Sequence, residues 1–319
     1  LIHLYLPEGS RARRLFDRLD EGFQRYLAQL PPGLDRLAWE RGTYHGDHSS
    51  QRFEGLAGLN PVLVHTPWLF WELFQAADDD AFLQLSEAGA FFVLASVVLD
   101  HLVDGQTSTP GLLSLYHQAL YSQGMAIYRH AIPPASAFWG HFERLAAEHL
   151  TGLATEIADQ SRPTDYTFDT LTIIAHGKVA PIITTLAGLC DVSGQMATFA
   201  SIEGSLKHIS IASQLLDDIG DWQVDVQNRH LTYFLSLLDP PEAWTQAEWP
   251  GIEELQRSMD GEWIDVNQLK RVMRGLNQAI EAVQGLDCPA WVRYVNEYRA
   301  ITDRHLERCI KRHLRQVLK

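Results

Sequence analysis

An all-α, single-domain helical bundle is the fold class that this sequence predicts, and three observations lead to it. Apolar residues recur at three- and four-residue steps through most of the chain, the spacing of a helix that buries one face. Strand-like alternation bounded by turns is hard to find. Breaker residues arrive at intervals that leave helix-length segments between them.

In chain order, the first predicted helix covers 11–29 and is closed by Pro31-Pro32-Gly33. A second covers 68–76, and a third, 80–103, ends before the turn running from Gly105 to Gly111. Helix 111–131 stops at Pro133-Pro134, 137–158 before Arg162-Pro163, and 166–189 before the break from Asp191 to Gly194. A long helix over 196–226 follows. Residues 239–265, interrupted at Pro240-Pro241 and Pro250-Gly251, read as an irregular excursion on the lid side. Helices at 266–284 and 289–316 complete a single domain over 1–319, with 1–60 assigned on the thinnest pattern. The stretch 88–103 is apolar on nearly every face, which marks a helix in the middle of the fold.

Composition narrows the function. The chain has 319 residues, 46% of them hydrophobic, ample for a large core. A net charge of -14 excludes nucleic acid as the main partner, because phosphate binding needs clustered Lys and Arg. Cys190, Cys288 and Cys309 are scattered without any CxxC, so neither a disulfide framework nor a zinc site is expected. With no long uninterrupted apolar run and no signal-peptide core, the expectation is a soluble cytoplasmic protein without a membrane span.

Two acidic constellations stand out from the remaining Asp and Glu. In LDHLVDGQ, Asp100 and Asp104 are one helical turn apart on one face, at the end of the most apolar helix. Desolvation there sharpens their repulsion, so a positive charge is expected between them. In QLLDDIGDWQVD, Asp217, Asp221 and Asp225 form one carboxylate stripe, with Asp218 beside it. No Lys or Arg occurs between Lys207 and Arg229, so the stripe lacks the counter-charges of an ordinary solvated face. Carboxylates without a His or Cys partner at ligand spacing suit Mg²⁺, which keeps several waters and is completed by substrate phosphates. No His follows a Glu at Glu-x-x-His spacing and no His-Asp dipeptide occurs, which sets aside a di-iron bundle and a His-Asp phosphohydrolase.

These residues resemble the class I isoprenoid synthases, the superfamily of trans-prenyl diphosphate synthases and class I terpene cyclases. Asp100-His101-Leu102-Val103-Asp104 is similar to that family's DDxxD, with His101 in place of the second Asp. Gln214 to Asp221 resembles its QxxDDxxD, and Asp217, Asp221 and Asp225 also match the cyclase metal triad. The resemblance implies a bundle with a central active-site cavity and two motif helices facing each other across it. It further implies Mg²⁺ on Asp100, Asp104, Asp217, Asp221 and Asp225, and a prenyl diphosphate held by Lys178, Gln214, Asp218 and a C-terminal Arg293-Tyr294 pair. Phe92 and Ser96 share a helix face with Asp100 and are candidate pocket walls; Phe92 lies about 12 Å below the carboxylate at 1.5 Å per residue, which favours a chain of about C15–C20. Trp68, Phe70, Trp71, Phe74, Phe91 and Trp222 are expected to be plain core.

Departures from the family shape the expected reaction. Chain-elongating synthases carry cations early in the chain and just after the first motif, for a second diphosphate. Here the corresponding segments read Leu59-Asn60-Pro61-Val62 and Gln106-Thr107-Ser108-Thr109-Pro110-Gly111, without a cation. The expected activity is therefore a terpene synthase ionising one allylic diphosphate and releasing pyrophosphate. The alternatives are a trans-prenyl diphosphate synthase or other prenyltransferase, and, in another class, a non-catalytic partner subunit of a prenyl synthase. A homodimer is left open.

Overall fold

The computed structural model describes residues 6–40, 42–45, 51–105, 107–161, 166–239, 244 and 249–317. Gln106 and the breaks expected at Arg162-Pro163 and Pro240-Pro241 lie outside them. The described residues form an all-helical bundle, and among them the one extended pairing is an isolated bridge between Glu40 and Arg52. In order, the helices are α1 (Arg11–Leu27), α2 (Leu34–Ala38), α3 (Gly42–His45), α4 (Pro61–Val64), α5 (Thr66–Leu69), α6 (Trp71–Phe74), α7 (Asp79–Val103) and α8 (Pro110–Ala131). They continue as α9 (Phe138–Ser161), α10 (Phe168–Val192), α11 (Phe199–Asn228), α12 (Tyr233–Ser236), α13 (Ile252–Glu262), α14 (Ile264–Ala282) and α15 (Pro289–Val317).

Two compact units are present. The first comprises 1–146, 180–200 and 285–291; the second comprises 147–179, 201–284 and 292–319.

The first unit is built around α7. Asp78 caps its N-terminus by accepting from the backbone N–H groups of Asp80 and Ala81, and Asp79 and Asp80 add favourable negative charge to that end. Leu85, Ala88, Phe91, Leu94 and Val98 are then buried around its circumference. Glycines let neighbours approach. A Cβ on Gly89 would lie 2.2 Å from Thr185 Oγ1 of α10, and one on Gly124 of α8 would lie 3.0 Å from the Ala88 carbonyl. On the N-terminal side, α1 buries Leu15, Phe16, Leu19 and Phe23 at helical spacing, and Trp68 donates its indole N–H to the Ala12 carbonyl at 3.1 Å.

The expected helix 68–76 is instead two short helices, α5 and α6, separated at Phe70 (φ -109°, ψ 19°). Phe70 is fully buried and stacks on Trp291 at 4.9 Å, so packing has overridden a locally helical pattern.

In the second unit, the C-terminal part of α9, the N-terminal part of α10 and α11 pack closely. A Cβ on Gly152 of α9 would lie 2.8 Å from the Gly177 Cα of α10, so only glycine fits at that crossing. Pro181 sits inside α10 and has no N–H to give the carbonyl four residues back. That carbonyl belongs to Gly177, and His149 Nδ1 of α9 donates to it at 2.9 Å. The expected irregular excursion at 239–265 contains a regular helix, α13, which buries Leu255 and Met259. Trp263, left-handed at φ 54°, joins α13 to α14 and stacks on His313 of α15 at 4.6 Å. His313 Nε2 donates to the buried Asp265 carboxylate at 2.8 Å, with Arg312 on its other oxygen at 2.7 Å.

Two helices, α7 and α10, are long and apolar enough to cross a membrane by length and composition alone. Their most apolar windows are 67% and 83% buried inside the protein, as expected of core helices.

Candidate active site

The first acidic motif ends α7. Asp100 lies in its last turn, and Asp104 is the C-cap residue, its N–H bonded to the Asp100 carbonyl before Gly105 (φ 68°) ends the helix. Carboxylates at the C-terminal end of a helix oppose its dipole, an electrostatic cost that any nearby cation reduces. His101 does something else. Its Nδ1 donates to the Thr43 carbonyl of α3 at 3.1 Å, which makes it a tether at the position of the missing second Asp. Further down the same face, Ser96 Oγ donates to the Val93 carbonyl in its own helix. Phe92, 8% exposed, joins an aromatic group with Tyr121, Tyr128 and Phe142 at 5.2, 6.2 and 5.5 Å. Trp68, Phe70, Phe74 and Phe91 are fully buried core, and Trp222 is buried too.

The second motif lies within the C-terminal half of α11, which runs unbroken to Asn228. Asp217 and Asp221 are exposed and Asp225 is partly buried, so the stripe becomes more enclosed toward the C-terminal end of the helix. Although Asp217 lies open as a residue, burial around its carboxyl raises its pKa, and Asp221 and Asp225 raise it further; Lys178 and His230 oppose this. Asp218 turns away. It is 3% exposed, accepts from Gln214 Nε2 at 3.0 Å on one oxygen, has no hydrogen-bond partner on the other, and burial pushes its carboxyl up to about 7.

Two residues with no sequence signal of their own join this group. His230 lies just past the end of α11, where left-handed Arg229 (φ 55°) folds the chain back; its N–H bonds to the Asp225 carbonyl at 2.9 Å and its Nδ1 lies 3.7 Å from the Asp225 carboxylate. Glu156 of α9 is 7% exposed and pairs with Lys178 Nζ at 2.8 Å. Lys178 is thus ion-paired rather than simply solvated. On α15, Arg293 is exposed, while Tyr294 is buried with its ring against Tyr298 at 5.2 Å. Next to Asp221, a cavity of about 330 Å³ is also lined by Trp222, Met259 and Arg312 among others.

Among the described residues, no three His, Cys, Asp or Glu side chains converge tightly enough to enclose a metal ion. One-turn spacing explains this, because it keeps successive carboxylates about 5–6 Å apart at Cβ. The donor set nevertheless fits Mg²⁺, which takes one or two carboxylates and leaves its other positions to water and substrate phosphate.

No family model matches this sequence, and no curated protein matches it either. Solved structures do. A geranylgeranyl pyrophosphate synthetase from the archaeon Geoglobus acetivorans is similar with a TM-score of 0.68 at 16% identity, over 92% of this chain and 99% of that one. The chain has the isoprenoid synthase fold. A geranylgeranyl pyrophosphate synthase from Corynebacterium glutamicum is similar with a TM-score of 0.64 at 12% identity, over 94% of this chain and 93% of that one. A geranyltranstransferase from Thermotoga maritima gives 0.59 at 11% identity, over 92% and 100%. At such identities the likeness carries the isoprenoid synthase fold and leaves the reaction to be argued from the residues.

Proposed function

We propose that this chain is a cytoplasmic Mg²⁺-dependent enzyme that ionises an allylic prenyl diphosphate of about C15–C20 and transfers the prenyl group, as a trans-prenyl diphosphate synthase or related prenyltransferase. The observation that carries the reading is the run of Asp217, Asp221 and Asp225 at one-turn steps on α11 with no Lys or Arg between Lys207 and Arg229, together with the Asp100 and Asp104 pair that ends α7. Asp100 with Asp104 in the first unit, and Asp217 with Asp221 and Asp225 in the second, would each supply oxygen ligands to Mg²⁺. Bound there, Mg²⁺ would neutralise charge developing on the departing pyrophosphate. Lys178 donates to the diphosphate, and the C–O bond breaks with its electron pair leaving on pyrophosphate. Gln214 and Asp218 brace the second motif from behind. The Phe92 face shields the allylic cation from water and offers aromatic surface to it, worth about 0.5–2 kcal/mol per good contact. Attack by the double bond of a second isoprenoid and loss of a proton then complete transfer.

Reaction of one substrate alone, by a terpene cyclase, is the second reading. It is favoured by the absence of cations in Leu59-Asn60-Pro61-Val62 and in Gln106–Gly111, whereas the similar solved structures described above carry synthase and transferase names. Incubation of the protein and Mg²⁺ with geranyl, farnesyl or geranylgeranyl diphosphate, each with and without isopentenyl diphosphate, separates the readings. Products longer by five carbons that require isopentenyl diphosphate support transfer. A cyclic or rearranged hydrocarbon from one substrate alone overturns it in favour of cyclisation. Silence with every substrate favours a non-catalytic partner subunit, and Asp217→Ala should abolish whichever activity is seen.

A further inference from the structure

Glu156 is a buried acid of the second unit that pairs with the lysine of the candidate site, and its sequence context, TEIADQ, is ordinary helix. Its position is set by backbone geometry. The Gly152–Gly177 crossing brings α9 and α10 into direct backbone contact, and the His149 bond to the Gly177 carbonyl pins the same level. Glu156 lies one turn beyond Gly152, and Lys178 is the residue after Gly177, so the crossing sets carboxylate and ammonium against each other at 2.8 Å. Lys178 also acts electrostatically on Asp217 of α11. Its ammonium is therefore held by an acid that lies outside both motifs.

A lysine has a long flexible stem, and a charge that must meet a diphosphate in one place gains from being ordered beforehand. Simple burial of an ion pair for stability is a poor alternative account, since desolvation offsets much of such a pair's attraction. We propose that Glu156 is a positioning residue, holding the Lys178 ammonium where a diphosphate oxygen arrives and acting only through Lys178. This rests on the reading above that Lys178 meets a diphosphate.

The test is a double-mutant cycle read by calorimetric titration of inorganic pyrophosphate in the presence of Mg²⁺, on the wild-type chain, Glu156→Gln, Lys178→Gln and the double variant. Thermal unfolding of each without ligand serves as the folding control. Glu156→Gln should weaken pyrophosphate binding by about 10-fold or more, the range seen when a supporting partner of a ligand-binding group is lost. The double variant should bind no more weakly than Lys178→Gln, because the two residues act as one unit. Binding by Glu156→Gln equal to wild type, or losses that add, would overturn the proposal and leave the pair a structural ion pair. If Glu156→Gln does not fold, Glu156→Asp, which keeps the charge and shortens the arm, goes through the same cycle with the same criteria. A wild-type chain that binds no pyrophosphate with Mg²⁺ overturns the functional reading itself, a result distinct from failure of the cycle.

Discussion

His65 shows how a single buried side chain ties stability to pH. It is fully buried between α4 and α5, its Nε2 donates to the Leu56 carbonyl at 2.8 Å, and Phe16 lies edge-on to its ring at 5.1 Å. Burial pulls its pKa down from 6.5 to about 4, against the opposing effect of the Leu56 bond. Because the native state refuses the proton that the unfolded chain accepts, this contribution is fully present above pH 6.5 and is lost as pH falls toward 4. The expected loss is about 2 kcal/mol between pH 7.5 and pH 5. Denaturant unfolding of wild type and His65→Gln at the two pH values checks it: the variant, which can still donate to Leu56, should show a clearly shallower decline. At this scale the sequence exposed Asp217, Asp221 and Asp225, because three acids at one-turn steps without a basic neighbour are an anomaly in one dimension. Glu156 and His230 gave no such signal. One meets its partner on another helix, and the other is folded back by the left-handed turn at Arg229.

Between helices, contact distance is set by glycine more than by large side chains. At the Gly152–Gly177 crossing an added methyl would meet backbone, which cannot rotate away as the Thr185 side chain beside Gly89 could. Gly152→Ala should therefore force α9 and α10 apart at a cost of about 1–3 kcal/mol, read as a lower denaturant midpoint at unchanged slope. The same variant should weaken the Lys178–Glu156 pair, so its pyrophosphate affinity should fall together with its stability. Most long helices were legible from periodicity to within a few residues. The failures were α13, masked by flanking prolines and tryptophans, and the break at Phe70, where burial against Trp291 outweighed local pattern.

For the whole chain, ligand linkage gives a direct readout of the proposed site. Mg²⁺ and pyrophosphate together should raise the melting temperature by several degrees, whereas either alone should do much less, since each completes the other's coordination. A ligand at a hundred times its Kd stabilises the native state by about 2.7 kcal/mol. Asp217→Asn should remove most of the joint shift while leaving the ligand-free melting temperature equal to or above that of wild type, because it relieves repulsion from Asp221 and Asp225. An unchanged joint shift in that variant would count against the second motif as the cation site.

What the sequence by itself determined is the all-helical class, most long helices, and the two acid-rich segments, all of which follow from residue spacing along one chain. It also set the net negative charge and the absence of a paired-cysteine framework. Tertiary structure decided the rest. Which acid holds Lys178, that His101 tethers α7 to α3, that Asp218 turns inward while Asp217 stays out, and that Gly177 gives its freed carbonyl to His149 all depend on residues from separate helices meeting. Periodicity tells a helix which face to bury, but the neighbour on that face is chosen by packing, through contacts that have no fixed separation in the chain.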